Sequence, residues 1–142
     1  MAIPPINHTI IVKASLERVW QALTDPAQVQ IWVGAIGFKP EIGAKFEFHA
    51  PPQGEWDGIT YSELLVLEKP HKMAFSWYVP NTPVTVVEIT LRDLGSQTEV
   101  TLVHSGWDQF PPEVKPIRDQ LDHGWGGFVL PQLAALVESQ PV

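Results

Sequence analysis

Between Gln120 and Glu138 the apolar residues Leu121, Trp125, Phe128, Val129, Leu133, Leu136 and Val137 recur at intervals of four, three, one, four, three and one. This is the period of a helix with a single apolar face, and it predicts one long amphipathic helix near the end of the chain. Such a stripe needs a surface to cover. What precedes it reads as strands with a short helical excursion, so the helix is expected to lie across a curved antiparallel sheet and close its core. Pro131 falls inside the stripe. There it removes a hydrogen bond and crowds the Gly127 carbonyl, at about 3 kcal/mol unless the helix bends. Gly124, Gly126 and Gly127 each weaken the helix by roughly 1 kcal/mol against alanine. A kink or break is therefore expected between Gly126 and Pro131, as a hinged lid or as a bend that follows a twisted sheet.

The rest of the chain supplies the sheet. His8 to Lys13 carries the β-branched Thr9, Ile10, Ile11 and Val12 and reads as a strand. Ser15 offers an N-cap to a helix with Leu16, Val19, Trp20 and Leu23 on one face, ending near Thr24. Asp25 as cap and Pro26 at the first helical position start a second helix to about Trp32. Gly34, Gly37 and Lys39-Pro40 mark a loop, and Gly43 opens a strand with Phe46 and Phe48 on one face. The cluster Pro51-Pro52-Gln53-Gly54 turns the chain into a strand from about Gly58 to Glu68. Lys72 to Val79, Val84 to Leu91 and Gln97 to His104 complete about six strands. The expected fold is α+β: a curved antiparallel sheet gripping a long C-terminal helix, with two short helices after the first strand. Residues 1–142 are expected to form one domain, long enough to bury roughly two thirds of its extended-chain surface.

Composition narrows the chemistry. The chain has no cysteine, which excludes disulfides, thiolate metal sites and thiol catalysis, and an intracellular, cytoplasmic location is expected. Met1-Ala2-Ile3-Pro4-Pro5 lacks the basic and apolar regions of a signal peptide, and no stretch approaches the about 20 apolar residues of a membrane span. A membrane is accordingly not an expected partner, and the formal charge of −7 opposes binding to a phosphate backbone, so nucleic acid is not expected either.

Several short runs, in this order, resemble one family. They are Val12-Lys13-Ala14-Ser15 leading to Val19-Trp20-Gln21-Ala22-Leu23-Thr24-Asp25-Pro26, with Trp32 after it; Gly43-Ala44-Lys45-Phe46; and Met73-Ala74-Phe75-Ser76-Trp77. Thr98 to Trp107 and Gly124-Trp125 followed by Leu133 and Leu136 continue the match. Together they resemble the START-like helix-grip (SRPBCC) superfamily, in its branch of homologues of the activator of 90-kDa heat-shock protein ATPase. The resemblance implies a deep hydrophobic cavity between sheet and C-terminal helix, which relatives use for lipids, polyketides or hormones; few are enzymes. The chaperone-activating role that names the branch belongs to relatives with a further N-terminal domain and is not expected here.

No local catalytic signature of the H-E-x-x-H, phosphate-loop or nucleophile-elbow type occurs. His104 shares the parity of Val100 and Leu102, so it points inward as a candidate acid–base group or as a hydrogen-bonded core histidine. Glu63 has the parity of Tyr61, Leu65 and Leu67, but Leu64 and Val66 are apolar on the other parity, which leaves its facing open. Glu88 is expected to face water, and His49 to sit at a rim. Asp119 and His123 share a helix face at ligand spacing, but without a third donor an ion pair explains them; no metal or other cofactor is expected. The expected cavity wall comprises Phe46, Phe48, Tyr61, Phe75, Trp77, Ile89, Leu102 and His104 from strands, Trp56 and Trp107 from loops, and Leu121, Trp125 and Phe128 from the helix.

Three readings follow. The first is a module that binds a small apolar or aromatic molecule in this cavity. The second is a small cyclase, hydrolase or dehydratase using His104 and Glu63 as an acid–base pair. The third is a stress-related protein-interaction module whose core is filled by its own side chains. A homodimer is compatible with each.

Overall fold

In the computed structural model, which describes residues 2–52, 54 and 56–139, strand pairing sets the first strand beside the last in one sheet. Gln53 of the predicted turn cluster and Met1 lie outside the described residues. The strands are β1 (Ile6–Val12), β2 (Ala35–Ile36), β3 (Lys45–His49), β4 (Ile59–Glu68), β5 (Lys72–Trp77), β6 (Thr85–Asp93) and β7 (Thr98–Ser105). They pair antiparallel in the order β1-β7-β6-β5-β4-β3-β2. The seventh strand, one more than expected, is the two-residue β2, which holds Ala35 opposite Phe48 and Ile36 opposite Glu47. A strand of two residues has no period to read.

The two short helices are α1 (Leu16–Thr24) and α2 (Pro26–Val33). The Ser15 hydroxyl accepts the Arg18 N–H at 3.2 Å, as a cap should. Asp25 occupies the cap position of α2 but its carboxylate accepts from the Gln28 side chain instead, at 2.9 Å. Gly34 ends α2 in the left-handed region, at φ 76°. Buried Arg18 reaches the Gln28 amide oxygen at 2.7 Å, and Trp32 donates to the Ala22 carbonyl at 2.8 Å, so α1 and α2 are locked together.

After β7 come two short 3-10 turns, Trp107–Gln109 and Pro112–Val114, then α3 (Lys115–Gly124), a π turn at Trp125–Val129, and α4 (Leu130–Ser139). The interruption expected between Gly126 and Pro131 is this π turn. The Leu130 N–H bonds to the Trp125 carbonyl five residues back. Because Pro131 has no N–H for Gly127, inserting a residue into the turn accommodates the missing bond. Both α3 and α4 lie against β1, and α4 also packs on α1 and α2.

One register change has large consequences. Leu64 faces Phe75, whereas Val66 faces Ala74, which places a β-bulge at Leu65. Before the bulge Thr60, Ser62 and Leu64 point into the core; after it Leu67 does. Tyr61 and Glu63 therefore alternate outward, contrary to the parity they share with Leu67 in the sequence. The bulge switches faces within the strand.

Candidate functional site: an aromatic interior

The inward positions of β3, β5 and β7 carry Phe46, Phe48, Phe75, Trp77 and His104, and the π turn brings Trp125 down onto them. The rings touch in sequence. Phe46 and Phe75 have centroids 5.4 Å apart, Phe48 and Trp77 4.7 Å, Trp77 and Trp125 5.4 Å, and His104 and Trp107 5.0 Å. Phe110 extends the series of rings beyond Trp107, at 5.5 Å, and the inward residues Ile89 and Leu102 are fully buried. Aromatic rings therefore occupy the space between sheet and helix, packed edge-on and tilted.

His104 is the polar centre of this cluster. The Trp125 indole N–H can only donate, so Nδ1 of His104, 3.1 Å away, accepts. Nε2 then carries the proton and donates to the Thr85 hydroxyl at 2.7 Å. That hydroxyl in turn donates a hydrogen bond to the Trp77 carbonyl at 2.7 Å. Every donor in this chain has one acceptor. Burial, and secondarily the positive charge of Arg118, lowers the His104 pKa to about 3, so the ring is neutral near pH 7.

Glu63 does not meet His104. It lies half-buried on the outward side of β4 opposite Lys45, and its backbone N–H donates to the Ser76 hydroxyl at 2.9 Å. The predicted acid–base pair is thus split across the two faces of the sheet. Tyr61, on Glu63's face, packs on Tyr78 at 5.9 Å rather than on the interior rings. Phe128 is 60 % exposed and sets its edge against His123, because the π turn adds one residue and rotates it off the buried stripe. Leu121 is half-buried at the border of the core. Trp56 stays in its loop and donates to the Ile59 carbonyl at 3.0 Å.

The remaining candidates are surface groups. His49 pairs with Glu47 at 2.8 Å and Glu88 with Lys72 at 3.4 Å. Lys115 and Arg118 engage Asp119 and hold its carboxyl below the usual range. Among the described residues no three histidines or carboxylates are placed to hold a metal ion. Solvent-open concavities among the described residues include two lined in part by polar groups. One, about 370 Å³, is lined by His8, Asp119, Asp122, His123, Gly126 and Gly127. The other, about 420 Å³, is lined by Ile36, Gly37, Lys45, Phe46, Glu47, Tyr61, Ser62, Glu63, Ser76 and Tyr78.

Two contributors had gone unrecognised in the sequence. Thr85 shares the inward parity of Val87 and Ile89, a signal that was available. His8 donates through Nε2 to the Asp122 carboxylate at 2.6 Å and also lies 3.0 Å from the Asp122 carbonyl. That contact joins residues 114 apart and left no local signal. Two polar groups in the interior have no hydrogen-bond partner among the described residues: the Trp107 indole N–H and the Ser62 hydroxyl.

A curled antiparallel sheet closed by a C-terminal helix over an aromatic core defines a START-like helix-grip protein. The chain belongs to the family described as Activator of Hsp90 ATPase homolog 1-like protein, whose sequence profile matches residues 13–138. Among solved structures, a Mesorhizobium loti protein is 22% identical, covers 98% of this chain and 100% of its own, and superposes with a TM-score of 0.82. A Bacillus halodurans protein is 25% identical over 97% of this chain and 100% of its own, with a TM-score of 0.79. A putative protein in the dynemicin biosynthetic locus is 25% identical, with a TM-score of 0.75, over 96% of this chain and 48% of that one. No curated protein matches significantly in sequence. No helix among the described residues is long and apolar enough to cross a membrane.

Proposed function

We propose that the chain binds a small aromatic or otherwise apolar molecule between the sheet and the C-terminal helix, in an interior that opens to receive it rather than in a standing cavity. The observation that carries this is the Trp107 indole N–H, 96 % buried by its residue and without an acceptor among the described residues, beside the neutral, hydrogen-bonded His104. Buried polar groups in folded proteins almost always have partners, and an apolar site with a few convergent polar groups is what ligand pockets share. The segment covering these rings is the π turn, whose glycines and missing proline N–H make it the easiest part of the helix to displace. Affinity would come from apolar burial at roughly 25 cal/mol per Å², less the cost of opening. The relative in a biosynthetic locus agrees with a small-molecule role.

The test is native mass spectrometry of the protein purified from its own host, with extraction of whatever is bound. One apolar compound at near-stoichiometric amount is expected. A clean apo mass, with no thermal shift across a panel of lipids and aromatic metabolites, would overturn the proposal.

The close ring-to-ring filling of the interior favours a second reading, a protein-interaction module that needs no guest. Ile117 and Phe128, both more than half exposed on the helix, would then serve association with a second copy. Light scattering of wild type and Phe128→Ser would separate dimer from monomer.

A further inference from the structure

Trp125 is the side chain that stands where a guest would have to go. It is buried, its ring lies 5.4 Å from Trp77, and its N–H is bonded to His104. It is also the first residue of the π turn. A π turn is one residue out of α-helical register, so a small local change of hydrogen bonding can move it without unfolding α3 or α4. Resting on the ligand-binding reading above, we infer that Trp125 is a resident plug and that the guest which replaces it is a fused-ring aromatic carrying a hydroxyl.

The size follows from the plug, and the hydroxyl follows from hydrogen-bond accounting. When the indole leaves, Nδ1 of His104 loses its donor. Changing tautomer does not restore a partner, because it turns the Thr85 proton from the Trp77 carbonyl to Nε2 and leaves a new Nδ1–H without an acceptor. Pairing Nδ1 as an acceptor keeps every other bond of the relay. A guest without a donor leaves it orphaned, whereas a guest with one replaces the indole bond. Between N–H and O–H the second unpartnered group decides. The Trp107 N–H needs an acceptor, and its ring is 5.0 Å from the imidazole. A hydroxyl donates to Nδ1 and still has lone pairs to offer; an aromatic N–H has none in the ring plane.

The experiment titrates the wild-type protein with 2-naphthol, 2-methoxynaphthalene, naphthalene and indole by calorimetry, while following the Trp125 indole N–H resonance by NMR. 2-Naphthol is expected to bind tightest, on the order of tenfold or more over its methyl ether, with indole between them. The Trp125 resonance, assigned by its loss in Trp125→Phe, is expected to move to a solvent-exposed position as naphthol binds. Equal binding of naphthol, ether and hydrocarbon would overturn the hydroxyl requirement and leave the binding reading intact. Naphthol binding with an unmoved Trp125 resonance would overturn the plug. If none of the four binds, the inference falls, whereas the reading it rests on falls only if the lipid and metabolite panel also gives no thermal shift. The ligand series uses wild type alone, so it stands even if the variant folds poorly.

Discussion

The indole N–H of Trp125 donates to Nδ1 of His104 across 3.1 Å, joining the C-terminal helix to the floor of the sheet. Because this bond assigns the imidazole its tautomer, the whole chain of donors from Trp125 through Thr85 to the Trp77 carbonyl acts as one unit.

Thr85→Val keeps the shape of the side chain and removes the hydroxyl. The His104 Nε2–H and the Trp77 carbonyl both lose that partner in a buried site, so a destabilisation of about 1–3 kcal/mol is expected by urea denaturation. Thr85→Ser retains the hydroxyl and should cost about half as much or less. Equal losses for the two variants would show that packing, not the hydrogen bonds, sets the cost.

Acid should weaken the fold through His104. Unfolded, the ring titrates near about 6.5; folded, burial and then Arg118 lower it to about 3. Between these values the unfolded chain binds the proton and the folded one does not. The stability of the neutral ring is thus complete above the unfolded value and is lost as pH falls toward the folded one, at up to about 1.4 kcal/mol per unit. Comparing wild type with His104→Gln from about pH 7 to about pH 4 cancels the carboxylates common to both. The stability difference is expected to shrink by about 3 kcal/mol over that range; a constant difference would contradict the assignment.

Two adjacent glycines should respond in opposite senses. A methyl on Gly126 would fall on the His8 ring, which Asp122 holds in place, and a loss of about 1–3 kcal/mol is expected for Gly126→Ala. At Gly127 the nearest atom to a new methyl is 3.6 Å away, on His123, so Gly127→Ala should be neutral or stabilising by up to about 1 kcal/mol. Thermal unfolding of both variants decides this, and His8→Ala should rescue Gly126→Ala.

Pro131→Ala returns an N–H that the Gly127 carbonyl can accept. The turn is expected to relax toward α-helical register, stabilising the protein by about 1 kcal/mol or more and slowing amide exchange at Phe128 to Leu130. Unchanged exchange would place the cause of the π turn in tertiary packing of Trp125 rather than in the proline.

The elements that could be read in advance were those with a sustained local period. The strand from Lys72 alternates Met73, Phe75 and Trp77 inward, and the terminal stripe puts Trp125, Leu133 and Val137 into the core. A helix of uniform pitch places Phe128 on that stripe with the expected cavity wall, and one added residue in the turn moves it out to solvent. Tyr61 and Glu63 share the parity of Leu67 in the sequence but not its face, since the bulge at Leu65 inverts parity within β4.

Neighbouring residues and composition were enough to set the order of strands and helices, the α+β class, the weak point at Gly126 to Pro131, and the lack of any thiol in this sequence. The tertiary structure alone decided which side chains fill the sheet–helix space, and that His104 is a neutral acceptor for Trp125 rather than a partner of Glu63. Those outcomes turn on hydrogen bonds between residues 19 and 21 apart along the chain, and on two single-residue insertions. Neither depends on a local period: an insertion is stable or not according to what other elements offer its backbone and side chains.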